Sequence, residues 1–461
     1  MLRVAYMIYS STDPGGEAQV ARDMAKQFSE YGESALFYPG DSFEKKQINN
    51  HFFHYSYKTG ETNLNFNPSY FTPQMLSRLF NMFEDFNPDI IHFHDPTPTM
   101  LIAQFWCIKN DVPKVMTLHS LPSQIDQFTD YQSSQNPLMS LAMIPTRQYL
   151  GIVLKENDLI FALNDVAKYE IKKIGYEGKI KTIPNGRDLN KFDKSPTKLE
   201  KVINLTFIGW ISKRKNQEYL LEVLKYLPKN YNLNLYGKYL SKGYKEIFEK
   251  LLKKADLENV HLHGYIDHDK IPDILAETHL FVSASLKEVQ SLVIIEALAS
   301  RTPVIGLSNE TTSELINDLN GKVLDKDATP KEFASEIKHF MEQSPESYFK
   351  KCENARKSVQ NHSWENVMEK TISAYHTAIR QNHEQQQASE SYTSNINELL
   401  KIVPSEKLRK NISDNLNKNP KSQKPVQRRA FWLAALGVIA SSVIWLASRI
   451  LAIFNKKKED N

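Results

Sequence analysis

The sequence predicts an α/β protein made of two doubly wound parallel-sheet domains, followed by a C-terminal transmembrane helix. Three observations lead there. Short apolar strand-like runs alternate with amphipathic helical runs along the first 380 residues, the pattern of parallel sheets covered by helices on both faces. The strand candidates fall into two sets on either side of a charged, proline-containing stretch at 187–201. Near the end, a long uncharged run stands apart from everything before it.

The first set comprises RVAYMIY, SALFYP, DIIHFH, KVMTLH, LIFAL and KTIPNG, with helices expected between them, including Ala18 to Tyr31 and Gln74 to Phe86. The second begins at INLTFIGW and runs through LNLYG, VHLHG, LFVSAS, PVIGL and KVLD. This gives domains at 1–195 and 196–380, the second closed by a helix over Trp364 to Gln381. Composition then changes to QNHEQQQASESYTSN, a polar linker over 381–428 with a short helix expected near Ile396 to Leu408. Ala430 to Ser448 holds 19 residues without a charge, ~28 Å as a helix and close to the thickness of a bilayer core. Arg428 and Arg429 precede it, Arg449 and Lys456 to Lys458 follow, and Trp432 and Trp445 lie near its ends, so a membrane anchor is expected over 429–455.

Composition narrows the function classes. A chain of 461 residues, 41% hydrophobic and 24% charged, supports two or three real cores and is neither disordered nor fibrous. The net charge of +4 is uneven: from Gln381 onward there are 13 Lys/Arg and 7 Asp/Glu, so the body is slightly acidic and no nucleic-acid partner is expected. Cys107 and Cys352 have no metal or disulfide spacing and suit a reducing compartment. The N-terminal LRVAYMIYS reads as a first strand and not as a secretory leader.

The chemistry concentrates in KEVQSLVIIEALASRTPVIG, Lys287 to Gly306. Glu296 is the lone charge in an apolar run, and a carboxylate buried there needs hydrogen-bonding partners, which a pair of sugar hydroxyls would provide. Glu288 stands eight positions earlier, in the loop expected after LFVSAS. Other segments add polar groups at strand ends. PGGEAQVARDMAKQF follows the first strand, and Gly15 with Gly16 permits a tight turn into a helix whose first amides face phosphate or sugar oxygens. His94 and His119 end successive strands. A metal site at His92, His94 and Asp95 is not expected, because a strand brings no third ligand to the same face. Lys215 lies six residues after Gly209 in FIGWISKRKNQ, IPNGRDLNKF supplies an Asn-Gly turn, and Asp267 to Asp269 reads as a helix cap.

Strand, loop glutamate, apolar helix with a second glutamate, then TPVIG: this order resembles the retaining nucleotide-sugar glycosyltransferases of family 4, across residues 1 to about 380. The resemblance implies the GT-B architecture, with an acceptor-side first domain and a nucleotide-sugar-binding second domain facing a cleft. It implies that Glu296 holds the donor ribose hydroxyls and that Glu288 and His119 contact the donor sugar. Lys215, with the amides of Ser291 and Leu292 and the glycine loop at Gly15 and Gly16, would hold the diphosphate. Sequence departures fall at Trp210, where arginine is usual and Arg214 is the substitute considered, and at Val289 and Arg301, where glycine is usual. The expected function is transfer of a sugar from a nucleotide-diphosphate donor, UDP-linked by default, to a hydroxyl of a glycan or lipid-linked acceptor at the membrane. No cofactor is expected, and the body should face the cytoplasm. Two rivals remain open at this point: a weakly active, membrane-tethered homologue serving as a binding or scaffold subunit, and another GT-B enzyme such as a nucleotide-sugar epimerase.

Overall fold

The computed structural model describes residues 1–8, 16–59, 72–94, 96–120 and 144–387. The linker beyond residue 387, the short helix expected at 396–408 and the anchor expected at 429–455 lie outside the described residues, as do Gly15 and Asp95. Among the described residues no helix is long and apolar enough to cross a membrane. The chain divides into two compact units, Met1–Ile183 with the chain from Met368 onward, and Pro184–Val367. The division falls earlier than the join read from sequence.

The first unit is an eight-stranded sheet in the order β3-β4-β2-β1-β5-β6-β7-β8. Its central strands β1 (Arg3–Met7), β5 (Ile90–His94), β6 (Lys114–Leu118) and β7 (Leu159–Ala162) are buried almost throughout, as strands covered on both faces must be. They are flanked by β2 (Glu33–Gly40) and β8 (Lys179–Thr182). Helices α1 (Gly16–Phe28), α2 (Pro73–Phe86), α3 (Pro98–Lys109), α4 (Ile144–Lys155) and α5 (Asp165–Lys173) form the connections.

Two strands escaped the sequence reading. β3 (Glu44–Asn49) pairs antiparallel with β4 (Phe52–Lys58), which itself runs parallel to β2. β3 is exposed along its whole length and has no apolar alternation to betray it. Its lysines protect the open edge of the sheet, and Lys45 also reaches Asp85 at 2.7 Å.

The second unit is a six-stranded, all-parallel sheet in the order β11-β10-β9-β12-β13-β14, the doubly wound dinucleotide-fold arrangement. Its strands are β9 (Ile203–Ile208), β10 (Tyr231–Tyr236), β11 (Val260–Gly264), β12 (Leu280–Ser283), β13 (Val304–Leu307) and β14 (Gly321–Leu324), close to the six expected. One face packs α6 (Gln217–Leu224), α7 (Lys242–Ala255) and α11 (Pro330–Met341) around Phe207, Leu235, Phe248 and Phe333. The other packs α8 (Ile271–Ala276) and α9 (Leu292–Ala299) around Phe281, Ile294, Ile295 and Leu298. α10 (Glu310–Leu315) and α12 (Pro345–Ser358) complete the unit. Gly209 and Gly237 have φ of +149° and +147°, and a Cβ on Gly237 would collide with the carbonyl oxygen of Gly209. This close approach places the chain after β9 beside the end of β10.

α13 (Trp364–Gln387) begins in the second unit, and from Met368 it belongs to the first. A buried hydrogen-bonded chain fixes it there. Tyr375 Oη donates to Tyr6 Oη at 3.0 Å and lies 2.8 Å from His92 Nδ1, while His92 Nε2 meets Thr117 Oγ1 at 2.7 Å. Both expected cysteines are buried core residues. Replacing Tyr375 with Phe should strand polar atoms of Tyr6 and His92 in the core and lower stability by about 1–3 kcal/mol. Chemical denaturation of the variant against the parent chain measures this.

Candidate functional site

In a doubly wound sheet the winding direction reverses at one point, and the loops leaving the strand ends there diverge to leave a crevice. In the second unit that point lies between β9 and β12. Lys215 and Arg214 come from a 3-10 turn after β9, and Glu288 from the loop after β12. The ammonium of Lys215 pairs directly with Oε1 of Glu288, and Arg214 Nη1 lies 3.2 Å from Oε2. Arg214 also donates to the Lys287 carbonyl at 2.9 Å, and its own carbonyl accepts from the Leu286 amide. The two loops are therefore stitched together. The Glu288 amide donates to Glu310 Oε2 at 3.0 Å, which joins α10 to the cluster.

Burial works against every charge here. It raises the Glu288 carboxyl, but Lys215 and Arg214 together outweigh it and leave Glu288 below the ordinary carboxylate range. Lys215 is pushed down, by burial first and by Arg214 beside it, with only partial compensation from Glu288. The ammonium is thus a desolvated cation held at a strand end, ready to be drawn to a second anion.

Glu296 is 2% exposed within α9. Two protein groups meet one of its oxygens. Arg187 Nε lies 3.0 Å from Oε1 and His268 Nε2 lies 2.8 Å from the same oxygen. Sequence reasoning missed both. The clue was available: a carboxylate in an apolar helix calls for a cation, and IPNGRD carries one. Asp267 occupies the N-cap position of a 3-10 turn, where the cap reading put it, without a side-chain cap bond. Asp269 pairs instead with Lys191. The Ser291 amide donates to Thr311 Oγ1 at 2.9 Å and is thereby engaged within the protein, while Leu292 opens α9 as its first residue.

In the first unit the switch point lies between β1 and β5. Gly16 begins α1 after β1, His94 ends β5, and His119 follows β6. His94 Nδ1 and His119 Nε2 are 2.8 Å apart, so one ring donates and the other accepts. The rings of His92 and His94 stack at 4.5 Å and those of His94 and His119 at 5.1 Å. A third imidazole therefore does reach His92 and His94, from the neighbouring strand. Their nitrogens face one another, Tyr375 and Thr117, and among the described residues no group of three or more His, Cys, Asp or Glu is set to hold a metal ion. Burial lowers His92 and His119 to about 3 and holds His94 well below its usual value.

Comparison with known proteins now bears on these two units. Residues 14–191 match the model described as Glycosyltransferase Family 4, and residues 189–362 match Glycosyl transferases group 1. Each of these two stretches thus matches a glycosyltransferase family model, over somewhat less than half of the chain apiece.

Among curated relatives, the O-antigen chain mannosyltransferase B of Escherichia coli is 27% identical over 176 residues, 37% of this chain and 44% of that one. An uncharacterized 41.2 kDa protein in the cps region of Klebsiella pneumoniae is 29% identical over 179 residues, 36% of this chain and 47% of the other. The matches thus span just under half of each curated relative. Solved structures share the fold: sucrose-phosphate synthase from Thermosynechococcus elongatus has a TM-score of 0.65 at 17% identity, covering 82% of this chain and 98% of that one. HepE of Anabaena in complex with UDP has a TM-score of 0.63 at 18% identity, covering 81% and 100%. The fold is that of GT-B glycosyltransferases.

The three sequence departures have local physical accounts. Arg301 has φ +60°, a left-handed conformation that a glycine adopts without strain. Its guanidinium offsets the strain by pairing with Asp193, with Glu353 at 2.8 Å and with the Lys194 carbonyl at 2.8 Å. Val289 is buried and is not among the positive-φ residues, so its backbone makes no demand for glycine. Trp210 accepts from Gln217 Nε2 at 2.8 Å through its carbonyl, and Arg214 places a guanidinium on Glu288.

The buried histidines make stability pH-dependent. Each is neutral when folded, whereas the unfolded chain takes up protons below about 6.5, so stability should fall as pH drops from 6.5 toward 3. A His94→Gln variant should show a shallower decline over that window in denaturant titrations at successive pH values.

Proposed function

We propose that this chain is a retaining glycosyltransferase that moves a sugar from a nucleoside-diphosphate donor to a hydroxyl of a glycan or lipid-linked acceptor. The observation that carries the reading is the pair of buried carboxylates eight residues apart, Glu288 and Glu296. Each is matched to cationic side chains beside the β9/β12 switch point of a doubly wound sheet. Glu296 would accept the donor ribose hydroxyls, and Glu288 would contact the transferred sugar. Lys215 and Arg214 would meet the diphosphate as negative charge grows on the leaving group, where a desolvated cation is most effective. The opening turn of α9 at Leu292 and the glycine turn at Gly15 and Gly16 would add amide donors. His119, kept neutral by burial and oriented by His94, would contact the donor sugar by hydrogen bonding and not by charge. The diphosphate charge is assigned to side chains, so the reading asks for no cofactor.

The domain roles follow the same reading, with residues 1–195 on the acceptor side and 196–380 on the donor side. The uncharged run Ala430 to Ser448 and its basic flanks support a tether to the membrane, with the body on the cytoplasmic side where nucleotide sugars are found. That tether favours a lipid-linked acceptor. Relatives are consistent with the class: one is an O-antigen chain mannosyltransferase, and HepE of Anabaena has been solved in complex with UDP-glucose.

Turnover of a nucleotide-sugar panel tests the reading directly. Glu296→Gln should raise the donor KM about tenfold or more, and Lys215→Met should lower kcat by about a hundredfold. Unchanged kinetics in both would remove the assignment. Full-length protein should float with vesicles and favour lipid-linked acceptors, whereas protein ending at residue 387 should do neither. Equal activity of the two forms, on soluble sugars only, would sink the membrane role.

A further inference from the structure

Arg187 has no part in the expected site, yet it makes the closest cationic contact to the carboxylate on which donor binding is proposed to depend. Its position is fixed by more than the ion pair. The Asn185 amide donates to Gln290 Oε1 at 2.7 Å, the Arg187 amide donates to the His362 carbonyl at 2.7 Å, and His362 Nδ1 lies 3.2 Å from the Asn185 carbonyl. Gly186, between them, packs so closely under the Trp364 ring that a Cβ would collide with it. The segment is therefore anchored to the loop before α9 and to the start of α13 without help from the guanidinium.

That anchoring changes what the ion pair can be for. Removing two charges from water costs several kcal/mol each, and a buried pair recovers this only in good geometry. The Arg187 and Glu296 side chains are 4% and 3% exposed, so both bear that cost. As a tether between elements already joined, the pair adds little. As an electrostatic device it does two things. An arginine cannot be deprotonated in a protein, so Glu296 has a permanent cation against it. Arg187 and His268 also converge on Oε1 alone, so that oxygen is filled from the protein side and Oε2 takes neither contact.

We propose that Arg187 is a positioning residue of the nucleotide-sugar site, holding Glu296 rotated so that Oε2 is presented to the ribose hydroxyls of the donor. His268, whose side chain is partly exposed, closes the carboxylate on its solvent side. The proposal deepens the donor-site reading above and rests on it. A full negative charge on a fixed oxygen accepts from a hydroxyl more strongly than a neutral or mobile carboxyl does. The presence of Arg187 should therefore set how sharply the site distinguishes ribose from deoxyribose.

The test is binding of UDP and GDP, each beside its 2′-deoxy and 3′-deoxy forms, to the full chain by calorimetry. Four proteins are compared: wild type, Arg187→Met, Arg187→Lys and Glu296→Gln. Wild type should bind one of the ribonucleotides about tenfold or more tightly than its deoxy forms. In Arg187→Met that ratio should shrink toward the value for Glu296→Gln, and Arg187→Lys should restore part of it. General structural damage would weaken ribo and deoxy forms alike and leave the ratio intact. A wild-type ratio retained in both Arg187 variants overturns this inference while leaving the donor-site reading in place. A wild-type ratio near one overturns the ribose role of Glu296 and the inference with it. Should Arg187→Met fail to fold, the ratio in Arg187→Lys decides: a ratio reduced relative to wild type supports the proposal, and an unchanged one overturns it.

Discussion

The second unit is organised around the cost of placing carboxylates where water cannot reach them. Glu288 sits ahead of α9 and Glu296 within it, both almost fully buried. Each requires a cation brought from elsewhere in the chain. Lys215 and Arg214 arrive from the turn after β9, and Arg187 arrives from the segment before it. These pairings dictate that the loops after β9 and β12 lie side by side, that Leu286 bonds back to Arg214, and that residues 185–187 run against Gln290 and His362. The all-parallel sheet supplies the place where this is possible, since neighbouring strands at the switch point send their connections to opposite faces.

The first unit meets a different constraint with a related solution. Beside one buried ion pair, Lys114 with Asp158 at 3.1 Å, it holds an uncharged histidine cluster. His94 and His119 hydrogen-bond to each other, and neutral His92 bonds to Tyr375 and Thr117, with Tyr375 donating on to Tyr6. Because Tyr375 belongs to α13, the last described helix is tied into the same network that holds the strand ends of β5 and β6. A neutral network can be buried without counter-ions, whereas the carboxylates of the second unit need theirs.

Much of the fold was legible in the sequence. Parallel strands buried on both faces read as continuous apolar runs, and they alternate with helical stretches, so the two-sheet α/β class needed no tertiary information. β3 was illegible because an exposed edge strand with the sequence EKKQIN has no buried face to impose a period. Glu288, Glu296, Lys215 and His119 were legible as candidates because each combines an unusual residue type with a strand end or an apolar run. Arg187, His268 and Thr311 were not, since their roles arise only when segments distant in sequence fold together.

The sequence by itself determined the class of fold, the residues that bear charge in apolar surroundings and the family resemblance they carry. It also determined the composition of a tail that departs from the body. The tertiary structure alone decided which cation meets which carboxylate. It put Lys215 and Arg214 on Glu288 and Arg187 with His268 on a single oxygen of Glu296, and it paired His94 with His119. The reason is physical. Burial patterns are local and repeat with the period of a strand or helix, whereas the partner of a buried charge is fixed by a three-dimensional path that no local period records.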